Sequence, residues 1–176
     1  MSIELLKTLL PPPRRKSNEG TDWSEVEKQL AITLPADYKA FIDYYGAGWI
    51  NDYIFVLTPT LEGELYNLKK KSLILIDRYK TFKAEFPDYY PHKIYPEKEG
   101  LFPCGYTEGG GHLYWETCED PESWTIVIYG SGGGRWEEYK LSLTDFITKL
   151  LLKEIVSKML PEDFADNASE FVDEED

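Results

Sequence analysis

The sequence predicts an α+β fold: an antiparallel sheet, a meander in the C-terminal half, packed with N-terminal and C-terminal helices. Three observations predict it. Tyr38, Phe41, Ile42 and Tyr45 fall at i, i+3, i+4 and i+7, which is one apolar stripe of a helix. Between Leu101 and Tyr139 the period changes to short aromatic and β-branched runs separated by turns too short for a crossover helix. From Ser142 helical spacing returns, with Phe146, Ile147, Leu150 and Leu151 on one face.

In chain order, Ser2 to Leu10 is a short amphipathic stretch that Pro11, Pro12 and Pro13 must stop, because proline lacks the amide proton and clashes with the preceding turn. A linker over Arg14 to Gly20 follows. Asp22 is the N-cap of a helix from Trp23 to Ala31, with Glu25 completing a capping-box-like pair and Val26 and Leu30 sharing a face. The next helix starts at Pro35 and ends at Gly46, the asymmetry that helix termini prefer. Tyr53 to Leu57, bounded by Asn51-Asp52 and Pro59, reads as a strand. Asn67 or Ser72 caps a helix running to about Phe86, with Leu73, Ile76, Tyr79 and Lys80 spaced for one face. Pro87 to Gly100 reads as an irregular connection. Strands follow at Leu101–Tyr106, His112–Glu116, Trp124–Tyr129 and Arg135–Tyr139, and Ser142 with Asp145 caps the closing helix.

Charge adds a division that periodicity does not. The net charge is −13, but Pro161 to Asp176 holds eight acids and no base, so −5 remains on the rest. Like charges at that density repel and favour a solvated, mobile end. The expected organisation is therefore a short helix and Pro-rich linker over 1–21, one α+β domain over 22–160 and an acidic tail over 161–176. At 176 residues the chain has length for one ordinary domain. The acidity argues against direct nucleic-acid binding, which lysine and arginine drive, and favours a basic protein partner. The first residues do not read as a secretory signal and no apolar run suits a membrane span, so the expected localisation is cytoplasmic, with no membrane partner. Cys104 and Cys118 are too few for a disulfide framework and suit a reducing compartment.

The order of motifs resembles a known family. LPADYKAFIDYYGAG over Leu34 to Gly48, Gly100 to Gly105, Gly111 to Trp115 and Asp120 to Val127 are similar to successive blocks of the SUKH superfamily, closed by the Ser142 to Leu152 helix. That superfamily includes a fungal cell-wall-assembly regulator and many bacterial toxin-immunity proteins. Two positions depart from its pattern: Cys104 stands where an aromatic is more frequent, and Gly109-Gly110-Gly111 replaces an Asn-Gly-Asp-like turn. The resemblance, over about Asp22 to Leu152, implies an α+β fold without a cofactor, acting by protein binding.

The glycine clusters lack the phosphate-loop and dinucleotide patterns and are read as turns. Cys104 with His112 invites a nucleophile–base reading, and Cys118 a metal reading with them, but core packing is favoured and no fourth ligand matches. No catalytic residue, cofactor or metal is assigned. Trp115, Trp124 and Trp136 are read as core-building aromatics in strands. Trp49 stays open between packing and exposure at a groove. Glu108, Glu116, Glu119, Asp120 and Glu122 form either a solvated rim or a negative patch that caps a partner's basic residues.

The expected function is that of an immunity protein, with Trp49, Asn51, Asp52 and those five acids docking on a cognate basic toxin, a nuclease or nucleic-acid deaminase, and occluding its active site. Monomer and weak homodimer both fit. The alternatives are a regulatory protein-binding scaffold of the same family and a small-molecule enzyme using Cys104 and His112.

Overall fold

Helix ends fall where capping chemistry sets them. The computed structural model describes residues 3–13, 20–166 and 168–174; Met1, Ser2, the linker positions 14–19, Asn167 and the last two acids lie outside the described residues. The helices are α1 (Ile3–Leu9), α2 (Trp23–Leu30), α3 (Ala36–Tyr45), α4 (Leu68–Glu85) and α5 (Leu143–Leu151). Asp22 accepts from the Glu25 amide at 3.1 Å, Asn67 from the Lys70 amide at 3.0 Å and Ser142 from the Asp145 amide at 3.4 Å, each satisfying a first-turn donor. Pro35 holds the cap position of α3, and Gly46 ends that helix with φ 74°.

The stripe expected on α3 is buried in full, whereas that on α4 is rotated. Leu68, Ser72, Leu75, Ile76 and Tyr79 face inward. Leu73 is 59% exposed and Lys80 is exposed, contrary to the sequence expectation. At about 3.6 residues per turn, both lie roughly a third to two fifths of a turn away from the line through Leu68, Leu75 and Tyr79.

Seven strands form one antiparallel sheet: β1 (Gly48–Ile50), β2 (Ile54–Val56), β3 (Leu101–Thr107), β4 (His112–Glu116), β5 (Thr125–Gly130), β6 (Arg135–Tyr139) and β7 (Phe171–Asp173), ordered β6-β5-β4-β3-β2-β1-β7. The meander is as expected, and two short strands extend it. β1 joins β2 through Asn51 and Asp52, at φ 51° and 54°, residue types that tolerate the left-handed region a tight hairpin needs. A bulge at Cys104 shifts the β3–β4 register between Pro103 and Gly105.

Helices cover both faces of the sheet. On one, Tyr38 of α3 meets Trp115 edge-on at 5.0 Å and Phe146 of α5 packs on Tyr139 at 4.9 Å, with Leu6 and Leu10 of the N-terminal segment also buried there. Asp37 ties α3 to α5 by accepting from the Thr144 amide and hydroxyl at 2.9 and 3.1 Å. On the other face, Trp49, Phe55, Tyr106, His112, Tyr129 and Trp136 stand opposite one another in successive strands, so one row of rings crosses from β1 to β6. The α4 helix lies over this row, with Tyr79 5.9 Å from Trp136 and Lys71 above Tyr106.

The expectation of a solvated C-terminal tail is corrected for its described part. Leu160, Phe164 and Phe171 are buried, and β7 pairs with β1 through Gly48↔Asp173, Trp49↔Val172 and Ile50↔Phe171. Phe171 packs under α3 against Tyr45 at 5.2 Å, an apolar anchor that outweighs the repulsion among neighbouring exposed acids.

Candidate partner-binding site

The residues singled out in the sequence divide between opposite ends of the sheet. Asn51, Asp52 and Glu108 sit at the end bearing the β1–β2 and β3–β4 turns, which are joined by the Glu108 amide donating to the Tyr53 carbonyl at 2.9 Å. Glu116, Glu119, Asp120 and Glu122 sit at the other end, around the β4–β5 connection. Five-residue strands separate the two ends by about 17 Å, so the eight residues do not form one patch.

Several of those side chains are already engaged. Trp49 is half-buried, packs on Phe55 and Tyr106 at 5.3 and 5.5 Å, and donates its Nε1–H to Glu174 at 2.8 Å. Asn51 donates to the Phe164 carbonyl at 2.7 Å and accepts from the Glu170 amide at 2.9 Å, stapling the C-terminal segment to the hairpin. Glu116 accepts from the Thr125 hydroxyl, Asp120 caps the short 3-10 turn Pro121–Ser123, and Glu122 accepts from the amide of Ala36, the first residue of α3, at 2.8 Å. Asp52, Glu108 and Glu119 are exposed carboxylates.

The Glu119 end carries a groove of about 490 Å3. Its apolar lining includes Ile32, Tyr95, Pro96 and Trp124, and its charged residues are the acids Glu97, Glu99 and Glu119 with one base, Lys98. Trp124 is 4% exposed and fixed by its Nε1–H donating to the Cys118 carbonyl at 2.9 Å, so its ring is a rigid wall. Tyr95 is held edge-on to Phe102 at 5.3 Å. Glu99 pairs with Lys93 at 3.6 Å, with both side chains more than half exposed, a contact that a competing cation displaces at little cost. Apolar walls below carboxylates match the aliphatic stem and charged head of a lysine or arginine. The sequence reading missed Tyr95, Glu97 and Glu99: proline and glycine marked the 87–100 connection as irregular but carried no signal of what it lies against.

Cys104 and His112 are not joined by a hydrogen bond. Cys104 is fully buried, and burial together with Asp37 pushes its thiol well above the ordinary range, which keeps it protonated and poorly nucleophilic. His112 is pushed down to about 4, by burial first and then by Lys71 and Arg78. Among the described residues no three His, Cys, Asp or Glu side chains converge to hold a metal ion, and no helix is long and apolar enough to cross a membrane.

Fold and groove together define a small α+β domain whose chemistry is presented on its surface. The SUKH_6 family model, described as SMI1-KNR4 cell-wall, matches residues 20–147. The chain belongs to this SUKH family. Searches of curated proteins and of solved structures gave no match.

Proposed function

We propose that this protein is an immunity protein that neutralises a cognate basic toxin, of the nuclease or nucleic-acid deaminase class, by covering its active site. The reading is supported most by the groove at the Glu119 end, where Tyr95 and Trp124 lie beside Glu97, Glu99 and Glu119. A nucleic-acid-processing site is lined by basic side chains, and this arrangement offers each of them a carboxylate and an apolar wall. Occlusion requires no bond-making by this chain. An interface of ordinary size, about 1,600 Å2 in total, with a few desolvated aromatic anchors gives tight binding.

Co-expression with each candidate toxin domain encoded next to its gene tests this. The expected result is rescue of growth and a complex that survives gel filtration; absence of both overturns the proposal. The cell-wall description of the matching family model favours a second reading, a regulatory protein-binding scaffold without a toxin. Recovery of a non-toxin regulatory partner in a pull-down from the native host, with no protection in the first experiment, selects that reading.

A further inference from the structure

The α4 face holds a second concave site that the proposed toxin contact does not use. It is a pocket of about 230 Å3 between α4 and the sheet, with Tyr79, Phe82, Tyr90, His112 and Tyr129 among its lining and Arg78 at its rim. Gly110 and Gly132, on the β3–β4 and β5–β6 turns, also border it at φ 81° and 108°. At Gly110 and Gly132 the two turns present bare backbone, and Ser131 of the β5–β6 turn adds its short side chain to the border.

We propose that this pocket binds a small aromatic carboxylate, its ring packed among Phe82, Tyr90 and Tyr129 and its carboxylate held by Arg78 and His112.

Size sets the first limit. Cavities of about 150 Å3 accept a benzene ring, so about 230 Å3 accommodates one ring with a carboxylate attached and is small for a nucleotide. The walls are already ordered: Phe82 stacks on Tyr90 at 5.6 Å, and the Tyr90 and Tyr129 hydroxyls lie 3.1 Å apart. A planar ring entering beside them adds offset or edge contacts without reorganising long side chains.

Charge sets the second limit. The net charge of the chain is −13, yet this pocket is locally positive. Arg78 is exposed and forms no ion pair among the described residues, and the charges acting on His112 are those of Lys71 and Arg78. A guanidinium offers a planar donor pair to a carboxylate, and a neutral imidazole offers one N–H. An amine in the same place would meet the Arg78 guanidinium and no carboxylate in the lining.

Titration of the full-length protein followed by NMR, with 4-hydroxybenzoate as probe, tests the proposal. Saturable one-to-one shifts are expected at His112, Tyr129 and Gly132. Neutral 4-hydroxybenzyl alcohol and cationic tyramine are expected to bind about tenfold more weakly or worse, as is 4-hydroxybenzoate to Arg78→Gln. Arg78 is exposed on α4, so its replacement leaves the fold intact; His112→Phe keeps the ring row and removes the N–H, and weakens binding as well. No saturable shift up to about 10 mM probe, shifts confined to other surfaces, or equal affinities for the three probes or for Arg78→Gln would each overturn it.

Discussion

His112 stands in the ring row opposite Tyr129 of β5, and its burial there, followed by the charges of Lys71 and Arg78 on α4, makes the folded protein resist its protonation. Its folded value near 4 lies below the ordinary 6.5 of the unfolded chain. Between those values the unfolded chain binds a proton that the native one does not, and stability falls as pH drops from 6.5 towards 4, by about 3 kcal/mol in total. His92, also lowered chiefly by burial, acts with the same sign. Urea unfolding across this range should show a shallower pH dependence for His112→Phe than for the native sequence; identical slopes would refute the assignment. At Gly48 the constraint is steric. A Cβ there would stand 2.4 Å from the Phe171 ring and 2.4 Å from the Val172 carbonyl, so Gly48→Ala should cost about 1–3 kcal/mol in urea unfolding.

Among the elements, β7 departs furthest from the sequence reading. A solvated acidic tail could be altered without effect, whereas Phe171 is 7% exposed and packs on Phe41 and Tyr45. Phe171→Ala is expected to cost about 3–5 kcal/mol, measured as a fall in the urea midpoint, and an unchanged midpoint would place the segment outside the cooperative unit. The link from α3 to α5 makes a second expectation. Asp37 accepts at Thr144, and Asp37→Asn turns an acceptor into a donor against the Thr144 amide or leaves that amide unpaired, with an expected loss of about 1–3 kcal/mol. β4 and β6 were legible to the residue because turn-forming clusters flank them. β1 and β7 were not: three residues are too few to show an alternation, and unlike the equally short β2 they do not sit in an apolar run bounded by turn residues.

At the scale of the whole molecule, the carboxylates at the two ends of the sheet make separable predictions about the proposed toxin complex. With docking at the groove, Glu99→Lys with Glu119→Lys should slow association about tenfold or more and reduce its sensitivity to salt. Asp52→Lys with Glu108→Lys, at the far end, should leave the rate within about a factor of two once the equal change in net charge is screened at high salt. Stopped-flow association with the toxin domain reads both, and the reverse pattern would move the interface to the hairpin end.

The α+β class, the helix caps, the C-terminal meander and the family were all legible before folding, because each is written in spacing and residue chemistry over a few neighbouring positions. Packing, by contrast, placed the acids at two distant ends, gave Trp49 and Asn51 internal partners, made the 87–100 connection part of a groove, and set an acidic segment along the sheet edge. Those outcomes depend on which segments meet across 80 to 125 positions of chain, as in Glu122 with Ala36 and Glu174 with Trp49, and local periodicity carries no record of such meetings.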